Sequence, residues 1–160
     1  MPTGKTHLRI ELAVFVPCAF ACACLVQADV MHWPEAACFC TLYLFSSLFL
    51  SPDLDLHTSR AARRWGIGRV LWSPYASIFR HRGLSHHVLL GPLTRILYLG
   101  GLAALVVWGA GLAAGRPQSV SLPAWPLVVA GLVGTFLPNQ IHTLTDSLVS
   151  RVDRRKRRRA

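Results

Sequence analysis

Four apolar stretches separated by short polar segments form the main pattern of the chain. They run from about Leu12 to Ala28, from about Ala36 to Leu50, from Val88 to Ala114 and from Trp125 to about Ile141. A helix of about 20 residues crosses a hydrocarbon core of about 30 Å, and the first two stretches are near the lower limit. Backbone polar groups in lipid must bond within their own segment. The pattern therefore predicts an all-α integral membrane bundle of about four transmembrane helices.

Composition agrees with a membrane protein, because 52% of the 160 residues are hydrophobic although the formal net charge is +10. One alternative is a soluble bundle of very apolar helices, but the third stretch is too long and too uniform for that. A second alternative makes the residues up to about Ala28 a cleaved signal peptide, which would remove His7 from the mature protein. We expect one membrane-embedded domain over residues 1–150, followed by a basic cytoplasmic tail over residues 151–160.

The distribution of basic residues predicts the orientation of the bundle. Four spans place both termini and the central loop on one side, and only Arg116 would lie in a loop on the other side. The basic residues on the side of the termini are Lys5, Arg9, Arg60, Arg63, Arg64, Arg69, Arg80, Arg82 and those of the tail. Because cytoplasmic loops carry an excess of Lys and Arg, we expect both termini in the cytoplasm and the protein in the cell's inner (cytoplasmic) membrane.

Two polar segments are expected to contact membrane lipids. The tail RVDRRKRRR can bind anionic headgroups. The central segment, about 51–87, mixes tryptophans with arginines in RAARRWGIGRVLW, a composition that suits a cytoplasmic interfacial segment. No nucleic-acid recognition motif accompanies the basic tail, so no specific nucleic-acid partner is expected. The sequence does not indicate an oligomeric state.

The five cysteines all lie in the first two apolar stretches, where small apolar packing residues are common. They are Cys18, Cys22, Cys24, Cys38 and Cys40. Two Cys-x-Cys pairs could bind a soft metal, but residues two apart on a helix point to different faces. We therefore leave the cysteines out of the candidate site.

Four short motifs contain nearly all of the residues that could bind a metal: GKTH (4–7), SPDLDLH (51–57), HRGLSHH (81–87) and HTLTD (142–146). Each motif adjoins the same end of the predicted bundle. A carboxylate near hydrocarbon is costly unless it is paired or bound to a cation, so a shared metal site would explain the convergence. The candidate metal ligands are His7, Asp53, Asp55, His81, His86, His142 and Asp146.

Local spacing supports parts of this set. His142 and Asp146 are four residues apart, so they share a face if this segment is helical. Asp53 and Asp55 follow Pro52, where we expect an extended chain in which side chains two apart point the same way.

The mixture of imidazole and carboxylate ligands favours a divalent transition metal, with zinc, manganese and iron as candidates. Seven candidate ligands exceed the four of a single structural zinc site, so the site is expected to hold one or two ions. His32 is excluded because it would lie on the opposite side of the membrane. His57 and His87 stay open as further ligands.

Each candidate also has a simpler interpretation that does not involve a metal. His7 can be a surface histidine near a helix start. Asp53 and Asp55 can be helix caps, and Asp146 can pair with arginines of the tail.

The same motifs resemble a family of small bacterial membrane proteins described as uncharacterised metal-binding proteins or predicted membrane-bound metal-dependent hydrolases. GKTH, PDLD, HRGLSHH and the closing HxxxD carry the resemblance, which extends from Gly4 to Asp146. It implies a helical membrane bundle, a divalent metal site formed by the seven candidate ligands, and a hydrolytic activity. The chain departs from the family pattern where HRGxTHS becomes HRGLSHH, which adds His87 as a further candidate.

Two functions are consistent with these features. The first is a metal-dependent hydrolase of a phosphorylated, lipid-like or ester-linked substrate, in which Arg80 and Arg82 could hold phosphate oxygens. Arg82 is the candidate catalytic residue, because a guanidinium can stabilise negative charge that develops on the substrate. The second is a non-catalytic protein in which the metal holds helices together or is sensed or passed on. A catalytic site keeps an open coordination position, whereas a structural site is closed.

Overall fold

Helices form all of the regular secondary structure in the described part of the chain. The computed structural model describes residues 4–55, 59–78, 87–115 and 122–157, with the side chains of residue 55 and of residues 153–157 left out. The α-helices are α1 (Gly4–Gln27), α2 (Trp33–Phe49), α3 (Arg60–Arg64), α4 (Ser73–Ile78), α5 (Leu90–Ala113) and α6 (Trp125–Arg157). Two 3-10 helices span Pro52–Asp55 and Gly66–Trp72. The predicted all-α class is confirmed.

Among the residues that the structure describes, three helices are long and apolar enough to cross a membrane, namely α1, α5 and residues Trp125–Val152 of α6. Helix α2 coincides with the second predicted span but has only 17 residues. At 1.5 Å per residue its length is about 25 Å, which is shorter than a hydrocarbon core of about 30 Å. Length and composition therefore support three of the four expected spans.

Helices α1, α2 and α6 pack against one another, and the contact between α2 and α6 is the most extensive. These two helices run parallel, because Cys38 Sγ lies 3.6 Å from the Leu127 carbonyl and Ser46 Oγ donates to the Thr135 carbonyl at 2.8 Å. Helix α1 runs antiparallel to α2, since the Tyr43 hydroxyl near the end of α2 donates to the Glu11 carbonyl near the start of α1. The core between the three helices contains Cys22, Ala36, Phe39, Tyr43 and Ala130.

Glycines allow α2 and α6 to approach closely. A Cβ atom on Gly134 would lie 2.6 Å from the Phe39 carbonyl oxygen, and one on Gly131 would lie 2.9 Å from Leu42 Cδ1. Small residues at such crossings are typical of membrane helices, whose association depends on close packing. The register of α2 on α6 is therefore fixed by positions that cannot accept a larger residue without movement.

The first turns of α5 are tied to the end of α2 and to α6 through Arg95. Its side chain is 1% exposed, and Nη1 donates to the Leu50 carbonyl and to Asn139 Oδ1. Most of the remaining surface of α5 is not covered by the described residues. Arg95, which interrupts the third apolar stretch, thus forms an internal connection.

The segment between α2 and α5 has a small core of its own, formed by Leu50, Leu54, Ala61, Ala62, Trp72 and Tyr75. Two apolar residues on its outer side, Ile67 and Val70, are 94% and 66% exposed. The segment therefore presents apolar side chains outward beside exposed arginines such as Arg69.

The expectation of an extended chain at Asp53 and Asp55 is wrong, because Pro52–Asp55 forms a 3-10 helix. The Leu54 N–H donates to the Ser51 carbonyl at 3.1 Å, which closes its turn. Proline suits the first position of a helix, where its missing N–H has no partner to lose. Asp53 is therefore held in a tight turn directly after α2.

Candidate metal centre

The start of α1, the residues after α2 and the second half of α6 meet at one end of the bundle. This arrangement follows from the antiparallel path of α1 and the parallel path of α2 and α6. It brings together four of the predicted ligands, which are separated by as many as 139 positions in the chain: His7, Asp53, His142 and Asp146.

His142 has one ring nitrogen held by a carboxylate and the other directed at two further carboxylates. Its Nδ1 lies 3.0 Å from Glu11 Oε1. Its Nε2 lies 3.9 Å from Asp53 Oδ2 and 3.9 Å from Asp146 Oδ2, and it is buried without a hydrogen-bond partner among the described residues. When Nδ1–H donates to Glu11, the lone pair of Nε2 is left to bind a cation.

His7 completes the arrangement from α1. Its Nε2 lies 3.1 Å from Asp146 Oδ1, and its ring stacks on that of His142 with centroids 3.9 Å apart and planes inclined by 17°. One ligand atom from each of His7, His142 and Asp146 fits within 4.8 Å of the others. Two ligands bound tetrahedrally at about 2.0–2.1 Å are about 3.3 Å apart, so these spacings suit a transition metal after small movements.

Burial makes the histidines and Glu11 the inner part of the site. His7, Glu11 and His142 are 4%, 3% and 2% exposed, whereas the side chains of Asp53 and Asp146 are 30% and 21% exposed. A buried carboxylate is costly unless it is paired, and His142 provides that partner for Glu11. The two aspartates are left on the side that solvent can reach.

A cavity of about 30 Å³ adjoins these residues. It is lined by His7, Glu11, Asp53 and His142 together with residues that include Ser47, Arg60 and Arg64. A volume of this size has room for about two water molecules. The donor set of two imidazoles and two carboxylates, with a buried unpartnered Nε2 in its midst, fits a divalent transition metal.

A polar network one turn before His142 connects α6 to its neighbours. Asn139 Nδ2 donates to Ser46 Oγ and to the Thr135 carbonyl, each at 3.0 Å, while its Oδ1 accepts from Arg95. These bonds join α2, α5 and α6 through buried groups. They therefore fix the position of His142 along the bundle axis relative to the turn that carries Asp53.

The remaining predicted site residues fall outside the described part of the chain. These are His81, Arg82 and His86, together with Arg80, His57 and the side chain of Asp55. The roles of the seven candidates as metal ligands, and that of Arg82 in catalysis, remain predictions.

His87 is described and has a local role at the start of α5. Its Nδ1 accepts hydrogen bonds from the backbone N–H groups of Leu89 and Leu90 at 3.3 and 3.2 Å. The ring is exposed to solvent. In this conformation Nδ1 caps the helix and is not directed to the candidate metal centre.

Glu11 is the site residue that the sequence analysis missed. We placed the start of the first apolar stretch at Leu12, one residue too late to include it, whereas α1 begins at Gly4. Two signals could have identified Glu11: it is the only carboxylate in α1, and it lies four residues after His7 on the same helix face. An ionisable residue within a membrane helix is by default a candidate for function.

Comparisons with known proteins agree with a metal-binding assignment. The family model described as "Uncharacterized metal-binding protein (DUF2227)" matches residues 2–156. A protein of Aquifex aeolicus (strain VF5), named only "Uncharacterized protein", is 47% identical over 57 residues, which are 36% of this chain and 40% of that protein. The match thus spans well under half of the relative's length, and no solved structure matches the chain. Since the family model covers nearly the whole sequence and the resemblance of its motifs is confirmed, the chain belongs to this family of uncharacterized metal-binding proteins.

Proposed function

We propose that this protein is a membrane-bound hydrolase that depends on a divalent metal and cleaves a phosphorylated or ester-linked substrate. Zinc, manganese and iron are the candidate metals, with one or two ions bound. His7, His142, Asp53 and Asp146 would hold the first ion, and Asp55, His81 and His86 remain candidate ligands. Arg82 remains the candidate for stabilising negative charge on the substrate.

The observation that carries the proposal is the environment of His142. A buried imidazole nitrogen without a hydrogen-bond partner is costly in an ordinary protein interior. Here that nitrogen faces two carboxylates at 3.9 Å, and the opposite nitrogen is fixed by a third. In many metal proteins a histidine binds the cation through one ring nitrogen and donates from the other to a carboxylate. The carboxylate sets the ring's tautomer and orientation.

The protein residues would divide the work between binding and positioning. A bound divalent ion would supply Lewis-acid chemistry, which polarises a phosphoryl or carbonyl oxygen. Glu11 orients His142, and the packing of α1 against α6 shields the histidines from solvent. Asp53 and Asp146 are more exposed, so the open side of the site would lie next to them, where a substrate could enter.

We further propose that this end of the bundle faces the cytoplasm. The basic residues flank the site end of the helices, as the positive-inside rule requires for a multi-pass protein of the inner membrane. The exposed apolar residues Ile67 and Val70, together with Arg69, suit a segment that lies in the headgroup region. The partners would be membrane lipids and a phosphorylated or lipid-like substrate, without a specific nucleic acid.

The proposal can be tested by hydrolysis assays on the full-length protein in nanodiscs. The metal is removed with a chelator and restored as zinc, manganese or iron(II), and a panel of phosphoesters and carboxyesters is assayed. We expect hydrolysis of at least one class that disappears with the metal and returns on reloading. His142→Ala should be inactive, whereas His32→Ala, which changes a histidine at the other end of α2, should keep full activity.

Two results would contradict the proposal. Wild-type protein that holds stoichiometric metal but hydrolyses none of the esters would instead support a structural or metal-handling role. Activity that survives unchanged in His142→Ala would come from another site or from a contaminant.

A further inference from the structure

Two arginines of α3 border the same cavity as the candidate metal ligands. Arg60 and Arg64 are four residues apart, so they share one face of this short helix. Both are exposed to solvent, while Ala61 and Ala62 between them are buried in the core of the central segment. The helix is thus anchored by its alanines, and it presents its arginines to the cavity.

Arg60 lies beside the start of α1, and Arg64 is hydrogen-bonded near the end of α2. The stem of Arg60 passes the start of α1, where a Cβ on Gly4 would lie 3.8 Å from Arg60 Cδ. Arg64 Nη1 donates to the Leu48 carbonyl near the end of α2 at 2.9 Å. Arg60 itself forms no hydrogen bond or ion pair with another residue in the described ranges. Within the described part of the chain, its guanidinium donors are therefore not engaged by another residue.

The balance of charge at the cavity favours an anion. Among the described side chains, the carboxylates of Glu11, Asp53 and Asp146 would be opposed by one bound divalent cation and the two guanidinium groups, which would leave a net positive charge. A phosphomonoester carries a charge of about −1.5 to −2 near neutral pH. Two of its terminal oxygens can accept the two parallel hydrogen bonds that the fork of a guanidinium donates.

The size of the cavity limits how a substrate can enter. A volume of about 30 Å³, with room for about two water molecules, admits only part of a compact terminal group, such as two of its oxygens. The two arginines are exposed, so the rest of the substrate would extend past them into solvent or the headgroup region. A terminal phosphoryl group meets both conditions, whereas the phosphate of a diester would bring a substituent on each side.

We propose that Arg60 and Arg64 form an anion subsite that holds the terminal phosphoryl group of a phosphomonoester beside the metal centre. This inference rests on the proposed hydrolase function and adds its substrate class. A soluble phosphomonoester and a lipid with a phosphomonoester headgroup share this chemistry.

The test measures binding of phenylphosphonate, a dianion with a terminal phosphoryl-like group that is not hydrolysed, to full-length protein loaded with manganese. Calorimetry gives the affinity, and metal content and melting temperature are recorded for each variant. We expect Arg60→Gln to weaken binding about tenfold or more, because a charged hydrogen bond is lost. Metal content and melting temperature should stay those of the wild type.

Arg69→Gln is the matched control. It removes the same charge from an exposed arginine of the same segment, which borders a different depression together with Ile67 and Val70. Its affinity for phenylphosphonate should stay within about twofold of the wild type, since exposed charges at a distance are largely screened by salt. Arg64→Gln should resemble Arg60→Gln, but Arg60 is the decisive position because it has no bond to the described protein residues.

The outcomes separate this inference from the proposed function. Wild-type protein that binds manganese but not phenylphosphonate would overturn the subsite and leave the metal centre intact, whereas binding of neither would overturn both. The subsite would also be overturned if Arg60→Gln kept the wild-type affinity for phenylphosphonate or lost its metal. An equal loss of affinity in Arg69→Gln would overturn it as well. If phosphatidic acid in phosphatidylcholine nanodiscs competes with phenylphosphonate, the subsite binds a lipid ligand. If phenylphosphonate binds tightly and phosphatidic acid does not compete, the ligand is soluble.

Discussion

At the scale of single residues, the two nitrogens of His142 have different environments, and this difference defines the site. Nδ1 is bonded to Glu11, and Nε2 is buried between the carboxylates of Asp53 and Asp146. The bond to Glu11 sets which nitrogen carries the proton. Glu11 is therefore a positioning residue that acts on the metal through His142.

Glu11→Gln should lower the affinity for divalent metal about tenfold or more without abolishing binding. The glutamine oxygen can still accept from Nδ1–H, but the negative charge that makes the imidazole a stronger ligand is lost. Affinity is measured by competition with a chromophoric chelator. Glu35→Gln is the matched control, because Glu35 lies in the first turn of α2, and glutamine also serves in the capping box there. Equal affinities for wild type and Glu11→Gln would show that the Glu11 bond does not tune the site.

Sequence reasoning identified some of these residues and missed others for local reasons. The spacing of His142 and Asp146 was sufficient to predict that their side chains lie close together, because a helix places residues four apart on one face. Asp53 was identified, but its local conformation was not, since Pro52 is compatible with both an extended chain and the first position of a helix. Glu11 was overlooked because the helix extends past the first apolar stretch toward Gly4.

At the scale of elements, the parallel packing of α2 on α6 sets the positions of Asp53 and His142 along the bundle axis relative to each other. The approach is tight at Gly134, where a Cβ would meet the Phe39 carbonyl oxygen at 2.6 Å. Backbone atoms cannot rotate away as a flexible side chain can. The crossing therefore depends on glycine at this position.

Gly134→Ala should destabilise the protein by about 1–3 kcal/mol, as expected when an extra methyl group is forced into a packed interface. Thermal unfolding in detergent measures the loss, and metal affinity should fall with it. Gly109→Ala in α5 is the control, because a Cβ there has nothing within 4 Å in the described structure. A melting temperature for Gly134→Ala at or above that of Gly109→Ala would contradict the close crossing.

The apolar pattern predicted α5 more accurately than α6. The expected stretch of Val88–Ala114 became α5 at Leu90–Ala113, because lipid-type composition and helix coincide there. Helix α6 extends from Trp125 to Arg157, far past the expected end near Ile141, since the polar residues after Ile141 continue the helix without a break. Hydropathy marks the apolar part of a helix and not the helix end.

At the scale of the whole molecule, the site exists only because distant segments meet. His7 comes from the first helix, Asp53 from the turn after the second, and His142 and Asp146 from the last. The alternation of apolar stretches predicted this meeting, since antiparallel helices return each motif to the same end. The pattern predicted four membrane crossings, but α2 has only 17 residues, and its packing against α6 cannot be derived from hydropathy.

The metal centre is tested most directly by the number of divalent ions that the full-length protein binds per chain. Equilibrium dialysis followed by elemental analysis measures this number. Wild-type protein should bind at least one zinc or manganese ion per chain, and His32→Ala should bind the same amount. His7→Ala and His142→Ala should each lose bound metal while remaining folded, because each removes an imidazole from the first coordination sphere. Wild-type protein without stoichiometric metal, or a His142→Ala variant that retains it, would contradict a metal centre at His7, His142 and Asp146.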